Sequence, residues 1–364
     1  MKKKLKLKKI WIIIPIVLML LLAYPAYLTV SIISKDYSFG TVIKVVTNGI
    51  KDKVIENDYS KTLEVALNGK DYNKDNVDSY FEIEYHNKKD FISRVNKLLG
   101  LGYTVDDINQ INNKLTDDVV DTLYEHELIK DISKYLEFDY FKSENLYRYI
   151  NYYYGNYQEA VVQVNIGLDK DYYTDVNVIT SFSEDVLANK YNKLDEIFQP
   201  KNISKINSKY SKDNSQQYLS KVAQVAFEEM CENAIKDGKY LLANSAYRSY
   251  QDQQDVYNTY LKLYGQTYVN NYVAVPGYSE HQTGLALDVA ARDYSIFEAS
   301  PEFVWMKENA YKYGFILRYP KEKQEITGYK YEAWHYRYVG LDAAKYIQEN
   351  NITYEEYYVM FLDK

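Results

Sequence analysis

The sequence SEHQTGLALD, residues 279–288, joins a turn to a predicted strand. Gly284 permits a tight turn after His281, and the alternation that follows places Asp288 between apolar neighbours that face the core. A second stretch, EAWHYR at residues 332–337, carries another histidine shortly after a glutamate. The two stretches hold half of the 4 histidines in the chain, so any chemistry that needs imidazole is concentrated in them.

The residue types in these stretches suit a hydrolytic metal site. Such a site needs about three protein ligands, imidazole or carboxylate, and a separate carboxylate that moves protons. His281, Asp288 and His335 can supply the ligands, and Glu332 can supply the proton-moving group. Spacing alone leaves satisfied structural polar groups as an open alternative. Calcium fits less well, because imidazole suits zinc and calcium prefers oxygen ligands.

The second stretch poses a geometric problem for this interpretation. If Tyr331–Tyr336 is a strand, the side chains of Glu332 and His335 lie on opposite faces. The chain must then bend or bulge for both side chains to reach one ion.

A resemblance to a known family joins the two stretches. They match S-x-H-x-x-G-x-A-x-D and E-x-W-H-x-R, which mark the VanY-type D,D-carboxypeptidases, zinc peptidases of the bacterial cell wall. A third family element appears as SAYRSYQDQ at residues 245–253, with Ala246 in place of the usual glycine. Shorter matches are AVPG at 274–277 and GFILRYP at 314–320. The resemblance covers about residues 214–361 and implies an α+β zinc peptidase domain at the C-terminus.

The resemblance also implies roles for individual residues. Matched by position, zinc is assigned to His281, Asp288 and His335, and the general base is Glu332. Arg248 becomes the positive group that faces the substrate and assists catalysis. This agrees with the cost of burying a guanidinium that meets no carboxylate or oxyanion.

Further residues around the motifs have weaker assignments. Ser279 and Gln253 hold the substrate or support the ligands by hydrogen bonds. We expect Trp334 and Tyr336 to pack and so aim the ligands. Arg337 can pair with an acid near the site.

The function implied by the resemblance is zinc-dependent removal of the C-terminal D-alanine from peptidoglycan stem peptides. L,D-carboxypeptidase and endopeptidase activities on the same stems stay open, because related enzymes with these motifs do either. A non-catalytic wall-binding or sensory protein on the same fold is a further alternative. The intact Glu332 argues against it, because a binding module needs the pocket but not the base. The oligomeric state is not readable.

The first residues of the chain predict a membrane anchor. Six lysines precede an uncharged run at residues 10–33, which is about 36 Å long as a helix and so can span a bilayer core. A cleaved signal peptide has a shorter apolar region and small residues where Tyr24 stands. Because the lysines stay inside, residues 1–9 are predicted to be a cytoplasmic basic tail, 10–33 a single transmembrane helix, and the rest extracytoplasmic.

Between the anchor and the family resemblance, residues 34–213 predict a mostly helical extracytoplasmic region of unknown role, with Thr104 and Thr116 at expected helix starts. From about residue 214 helices and strands alternate. We predict helices at 219–236, 251–263, 301–313 and 341–362, and strands at 240–243, 285–289 and 315–317.

Composition sets the outer limits on function. The chain has 364 residues, of which 46% are hydrophobic and 26% charged, so disorder is excluded. The net charge of −7 with no basic stripe makes nucleic acid an improbable partner. The single cysteine, Cys231, cannot form an intramolecular disulfide and is expected to be a small buried hydrophobe.

Overall fold

The computed structural model describes residue 27 and residues 29–363. The chain divides into two compact units, Met1–Glu144 and Asn145–Lys364. The predicted transmembrane helix at 10–33 lies largely outside the described residues. Within the part of the chain that the structure describes, no helix combines the length and the apolar character that crossing a membrane requires.

The first unit is built from short helices, as predicted for this part of the chain. They are α1 (Phe39–Thr47), α2 (Lys51–Glu56), α3 (Lys61–Asn68), α4 (Val77–Glu82), α5 (Phe91–Leu101), α6 (Val105–Lys114), α7 (Asp117–Leu123) and α8 (Ile132–Leu136). The predicted cap Thr104 forms a capping box with Asp107 at the start of α6. Thr116 occupies the N-cap of α7, but its side chain makes no capping hydrogen bond.

The second unit begins with two helices and short strand pairs. Its elements up to residue 220 are α9 (Leu146–Asn151), α10 (Tyr157–Ile166), β1 (Asn177–Ile179), β2 (Asn192–Leu194), β3 (Ile203–Lys205) and β4 (Tyr218–Ser220). Strands β1 and β2 pair in parallel, whereas β3 and β4 pair antiparallel. Helices therefore still predominate in residues 34–213, but the last part of that region also contains strands.

The remainder of the second unit is the α+β domain. Its elements are α11 (Lys221–Lys236), β5 (Leu241–Ser245), α12 (Tyr250–Tyr264), α13 (Gln266–Tyr272), β6 (Ala286–Ala291), α14 (Pro301–Asn309), β7 (Phe315–Leu317), α15 (Gln324–Thr327), β8 (His335–Tyr338), α16 (Leu341–Asn350) and α17 (Tyr354–Phe361). The predicted helices and strands agree with these elements to within a few residues. The exception is the predicted tail helix, which is two helices separated by Asn351 in a left-handed conformation.

The compact unit begins earlier in the chain than the family resemblance does. The predicted domain boundary lies at 213/214, whereas the second unit begins at Asn145. The upstream segment is bonded to the α+β domain: the Leu194 amide donates to the Gly277 carbonyl at 2.7 Å, and Arg337 donates to the Val186 carbonyl at 2.6 Å. Both contacts end at a backbone carbonyl group, so no residue type or motif in the sequence predicts them.

One antiparallel sheet organises the domain, with strand order β5-β6-β8-β7. Alternate side chains of a strand point to opposite faces, so Leu287 and Val289 of β6 face one way and Asp288 the other. Leu287, Val289 and Tyr336 belong to the hydrophobic core, to which α11 contributes Phe227. The core lies on one face of the sheet, and the other face is free to carry polar groups.

Cys231 lies in this core and has the predicted structural role. It is fully buried on α11, and burial raises the pKa of its thiol. Because a thiol in that state is unreactive, Cys231 acts as a small apolar side chain.

Candidate active site

The register of the sheet brings two of the predicted metal ligands together. Asp288 of β6 lies directly opposite His335 of β8. Directly opposed residues of antiparallel strands project to the same face with their Cβ atoms about 5 Å apart. Tyr336 and Leu287 are likewise opposed and point into the core. The sheet thus pairs the polar side chains on one face and the apolar ones on the other.

The third predicted ligand, His281, lies in a turn that ends at a glycine. His281 lies in a 3₁₀ turn, Glu280–Thr283, which ends at Gly284 with φ of 68°. A Cβ atom at Gly284 would lie 2.9 Å from Ile203 Cδ1. The backbone amide of Ser220 would lie 3.2 Å from the same Cβ, and the positive φ favours glycine, so both observations fit the glycine of the motif.

The three side chains form a compact cluster of donor atoms. Single ligand atoms of His281, Asp288 and His335 lie within 4.8 Å of one another. Asp288 Oδ1 is 3.5 Å from His281 Nε2 and 3.2 Å from His335 Nδ1. This oxygen is buried and accepts no hydrogen bond of good geometry from the described residues. An unpartnered carboxylate oxygen between two imidazole nitrogens suits a cation.

The protonation of His281 is set by a backbone group. His281 Nδ1 lies 2.7 Å from the Ala246 carbonyl oxygen, which can only accept, so Nδ1 carries the proton and donates. The lone pair of Nε2 therefore faces Asp288. Burial, together with the nearby Arg248, lowers the pKa of His281 to about 4. The ring is thus neutral at physiological pH, as a metal ligand must be.

The other two ligands are strongly coupled to their surroundings. Burial disfavours the charged form of His335, but Asp288 and Glu280 outweigh it and raise the pKa of His335 to about 9. Burial would raise the pKa of Asp288, but the two histidines hold that pKa well below its usual range. Asp288 is therefore ionised and supplies the negative charge of the cluster.

Glu332 lies beside this cluster but outside strand β8. Its Oε2 is 3.7 Å from His335 Nδ1, and only 7% of the residue is exposed. A turn at residues 333–334 separates it from the first residue of β8. The residues before His335 are therefore not part of the strand, and this turn is the bend that lets Glu332 and His335 face the same cluster.

The environment of Glu332 suits a group that moves protons. Burial raises the pKa of Glu332 to about 8; Asp288 adds to the rise, and His335 and Arg248 oppose it. A carboxyl group whose pKa lies near neutral pH can both accept and return a proton.

Arg248 faces the same cluster and is held by Gln253. Its Nη2 lies 3.8 Å from Asp288 Oδ2, and its Nη1 donates to Gln253 Oε1 at 2.7 Å. Gln253 Nε2 donates to the Ala274 carbonyl at 2.8 Å, so both polar ends of Gln253 are used inside the protein. We therefore assign Gln253 to position Arg248. Arg248 Nε is buried and finds no acceptor among the described residues.

These residues line one cavity of 270 Å³, which also includes Ser279. Ser279 is buried, and no hydrogen bond of its side chain to another described residue is found, so it can still meet a ligand. Tyr336 packs in the core as expected. Trp334 does not: it lines the cavity with 41% of its surface exposed. The turn at residues 333–334 turns the indole away from the core.

A buried ion cluster, which was not predicted from the sequence, lies next to His335. Glu280 accepts from Arg318 Nε at 2.8 Å and from Arg337 Nη1 at 3.0 Å. Arg318 also donates to both carboxylate oxygens of Glu355, at 2.8 and 2.6 Å. The suggestion that Arg337 pairs with an acid is confirmed. Glu280 and Arg318 stand inside recognised motifs, but Glu355 comes from α17 and has no local signal.

The geometry defines a class of protein. Two imidazoles and one carboxylate converge in a cleft with a second buried carboxyl group and a guanidinium, on one face of an α+β sheet. These are the donors of a mononuclear metal hydrolase, and the domain is a metallopeptidase.

Comparison with known proteins identifies the family. The profile of VanY, D-alanyl-D-alanine carboxypeptidase, matches residues 216–341. The putative carboxypeptidase YodJ of Bacillus subtilis is 38% identical over 205 residues, which are 52% of this chain and 75% of YodJ. A D-alanyl-D-alanine carboxypeptidase of Enterococcus faecium is 43% identical over 141 residues, covering 38% of this chain and 44% of that protein. The chain belongs to the VanY D-alanyl-D-alanine carboxypeptidase family.

Solved structures with similar sequences include two peptidases. The LdcB LD-carboxypeptidase is 38% identical, with 51% of this chain and 91% of LdcB covered at a TM-score of 0.47. A zinc complex of the vancomycin resistance D,D-pentapeptidase VanY is 31% identical, with 48% and 98% covered at a TM-score of 0.43.

Proposed function

We propose that the second unit is a zinc-dependent carboxypeptidase that removes the C-terminal D-alanine from peptidoglycan stem peptides. The observation that carries this proposal is the convergence of His281, Asp288 and His335 beside the buried carboxyl group of Glu332. The donor set favours zinc, because neutral imidazole and a carboxylate suit it and two imidazoles do not suit calcium or magnesium. Membership of the family supports the substrate class.

Different residues of the site bind the metal and transfer the proton. Zinc held by the three ligands would supply Lewis acidity that polarises the scissile carbonyl and activates water. Glu332 accepts the proton of the attacking water and returns it to the leaving amine, because its carboxylate is buried in the cavity beside the three ligands. A binding protein on this fold would need the cavity but would have no use for such a group.

Arg248 supports the preference for a chain end. Its Nε is buried and finds no acceptor among the described residues, and its Nη2 lies 3.8 Å from Asp288 Oδ2, too far for a hydrogen bond. A free C-terminal carboxylate would give the guanidinium a charged acceptor close to the scissile bond. An internal peptide segment offers no such group, so this side chain favours a carboxypeptidase over an endopeptidase.

Arg248→Ala is expected to lower kcat/KM by about 10- to 100-fold, because a hydrogen bond to a charged group is worth about 1.5–3 kcal/mol. KM should rise as well as kcat fall, and bound zinc should be retained, since Arg248 is not a ligand. Steady-state kinetics on a stem peptide with a free carboxylate, repeated with its C-terminal amide, checks this.

The matched control is Arg292→Ala. Arg292 is exposed and stacks on Tyr240 at 3.8 Å, outside the cavity, so its loss removes the same charge without touching the site. Its kinetics should remain those of the unmodified chain. If Arg248→Ala leaves the preference for the free carboxylate over the amide intact, Arg248 does not recognise the chain end.

Defined tripeptide, tetrapeptide, pentapeptide and cross-linked stems test the substrate specificity. Incubation with the purified chain and mass analysis of the products should show the pentapeptide losing one terminal D-alanine. Conversion of tetrapeptide to tripeptide instead would make the enzyme an L,D-carboxypeptidase, and cleavage only of cross-linked stems would make it an endopeptidase. No product from any stem would favour the wall-binding alternative.

We further propose that residues 10–33 anchor the chain in the cell membrane with the peptidase unit outside. The six lysines that precede this run support the orientation, because basic residues stay on the cytoplasmic side. The proposal places the enzyme in the same compartment as its proposed substrate.

Protease added to intact protoplasts is expected to digest the peptidase unit. An antibody against the C-terminus would follow the loss of the band, and a cytoplasmic protein in the same cells should remain intact as the control. A peptidase unit that survives while the outer surface is digested would mean that the orientation is reversed.

A further inference from the structure

Glu280 is a buried carboxylate that lies beside His335, on the side of the ring opposite Asp288. Only 2% of the residue is exposed. Its Oε2 lies 3.6 Å from His335 Nε2, the ring nitrogen that points away from Asp288. Both atoms are buried, and neither has a hydrogen-bond partner among the described residues. Although 3.6 Å is longer than a hydrogen bond, the carboxylate is the acceptor that this nitrogen faces.

Two arginines hold this carboxylate in place. Its other oxygen accepts from Arg318 and Arg337, and Arg318 is fixed in turn by Glu355. Arg318 and Glu355 are fully buried, as is Arg337, so two positive and two negative side chains balance each other. Because an unpaired buried charge is costly, the cluster must be complete, and Glu280 has little freedom to turn away from His335.

The two histidines of the site use opposite nitrogens. His281 presents Nε2 to Asp288 and gives Nδ1 to the Ala246 carbonyl. His335 presents Nδ1 to Asp288 and turns Nε2 toward Glu280. A neutral imidazole has one N–H and one lone pair, and an acceptor beside one nitrogen draws the hydrogen there. Each ring therefore has its own acceptor on the side away from the ligand cluster.

We propose that Glu280 is a positioning residue that selects the Nε2–H form of His335 and so leaves Nδ1 free to bind the metal. The ion cluster of Glu280, Arg318, Arg337 and Glu355 keeps the carboxylate at that nitrogen. This inference rests on the zinc site of the proposed function and adds the group that orients one of its ligands. Carboxylates in this position commonly contribute about 10- to 100-fold to metal affinity.

Glu280→Gln tests the proposal through metal affinity. The glutamine oxygen must accept from Arg318 and Arg337, so its NH₂ group faces His335 Nε2 as a donor. Nε2 then has to accept, and the hydrogen moves to Nδ1, where the ion should bind. We expect the Kd for zinc, measured on the full chain by competition with a chelating indicator, to rise by about 10- to 100-fold.

The comparison variant is Glu355→Gln, which removes the same charge from the same ion cluster. Glu355 faces neither histidine but fixes Arg318, so its loss is expected to loosen Glu280 only indirectly and to raise the zinc Kd much less than Glu280→Gln does. If both variants weaken zinc binding equally, Glu280 matters only through the stability of the cluster, and the proposal is overturned. The melting temperature of each variant reports that stability separately.

A second measurement does not depend on a variant that folds. In the zinc-loaded chain, the ¹⁵N spectrum of the imidazoles should show a proton on Nε2 of His335 and on Nδ1 of His281. A proton on Nδ1 of His335 would overturn the inference while leaving the zinc site intact. A chain that binds no zinc at all would instead overturn the proposed function, so the two failures are distinguishable.

Discussion

Glu332→Gln is expected to lower kcat by about 10²- to 10⁴-fold while one zinc per chain stays bound. The substitution keeps the size of the side chain but removes its ability to accept a proton. Glu332 lies 3.7 Å from His335 Nδ1 and is buried, so a glutamine fits the same space. Turnover of a pentapeptide stem and elemental analysis of the same sample measure both quantities.

Glu302→Gln is the control for this change. Glu302 is also buried, but it accepts from the Tyr240 amide at 3.1 Å and is not part of the cavity. Its kcat should remain unchanged even if its melting temperature falls. Near-native turnover by Glu332→Gln would mean that another group carries the proton, and loss of zinc would recast Glu332 as a ligand.

Asp288→Ala is expected to weaken zinc binding by well over the 100-fold that indirect partners of metal ligands contribute, and to abolish turnover with it. The substitution removes the anionic ligand of the cluster. In the unmodified chain the Arg248 guanidinium lies 3.8 Å from Asp288 Oδ2. The substitution removes this carboxylate, so an unbalanced positive charge would face the incoming cation. Zinc affinity and stem-peptide turnover are measured on the same preparation.

Asp293→Ala provides the comparison for that loss. Asp293 follows the same strand but is exposed, so the variant loses the same charge outside the site. Zinc affinity and turnover should match those of the unmodified chain. Tight zinc binding by Asp288→Ala would show that the metal lies elsewhere.

Motif residues and regular elements were the most predictable features of this chain. The helix that ends at Lys236 follows from apolar residues at helical spacing, and the strand Phe315–Leu317 follows from a short apolar run after Gly314, which ends the preceding helix. The turn at Gly284 was predictable for a similar reason, since glycine permits the positive φ that this tight turn adopts. Local signals of this kind do not depend on what lies across the fold.

The arrangement of the ligands depended on pairing that spacing does not encode. Asp288 and His335 are far apart in sequence, and only the register of β6 with β8 places them opposite each other. A strand that included both Glu332 and His335 had to bend for both side chains to reach one ion, but spacing does not show where the bend lies. The bend is the turn at residues 333–334, and β8 begins at His335.

The features that sequence reasoning missed are held by long-range polar contacts. Glu355 reaches Arg318 from a helix beyond the family motifs, and Val186 accepts from Arg337 across the same unit. Neither contact is predicted by a motif or by the periodicity of apolar residues. The residues between 145 and 213 were therefore grouped with the upstream helices, although they belong to the compact unit that contains the site.

Titration of the metal-free chain with zinc tests whether the site formed by His281, Asp288 and His335 is a catalytic zinc site. The chain is stripped with chelator, and release of D-alanine from a pentapeptide stem is followed as zinc is added back. We expect no activity without metal, a linear rise as zinc is added, and a plateau at one zinc per chain. Full activity in metal-free protein, or no release of D-alanine after one equivalent has bound, would contradict the proposed zinc carboxypeptidase.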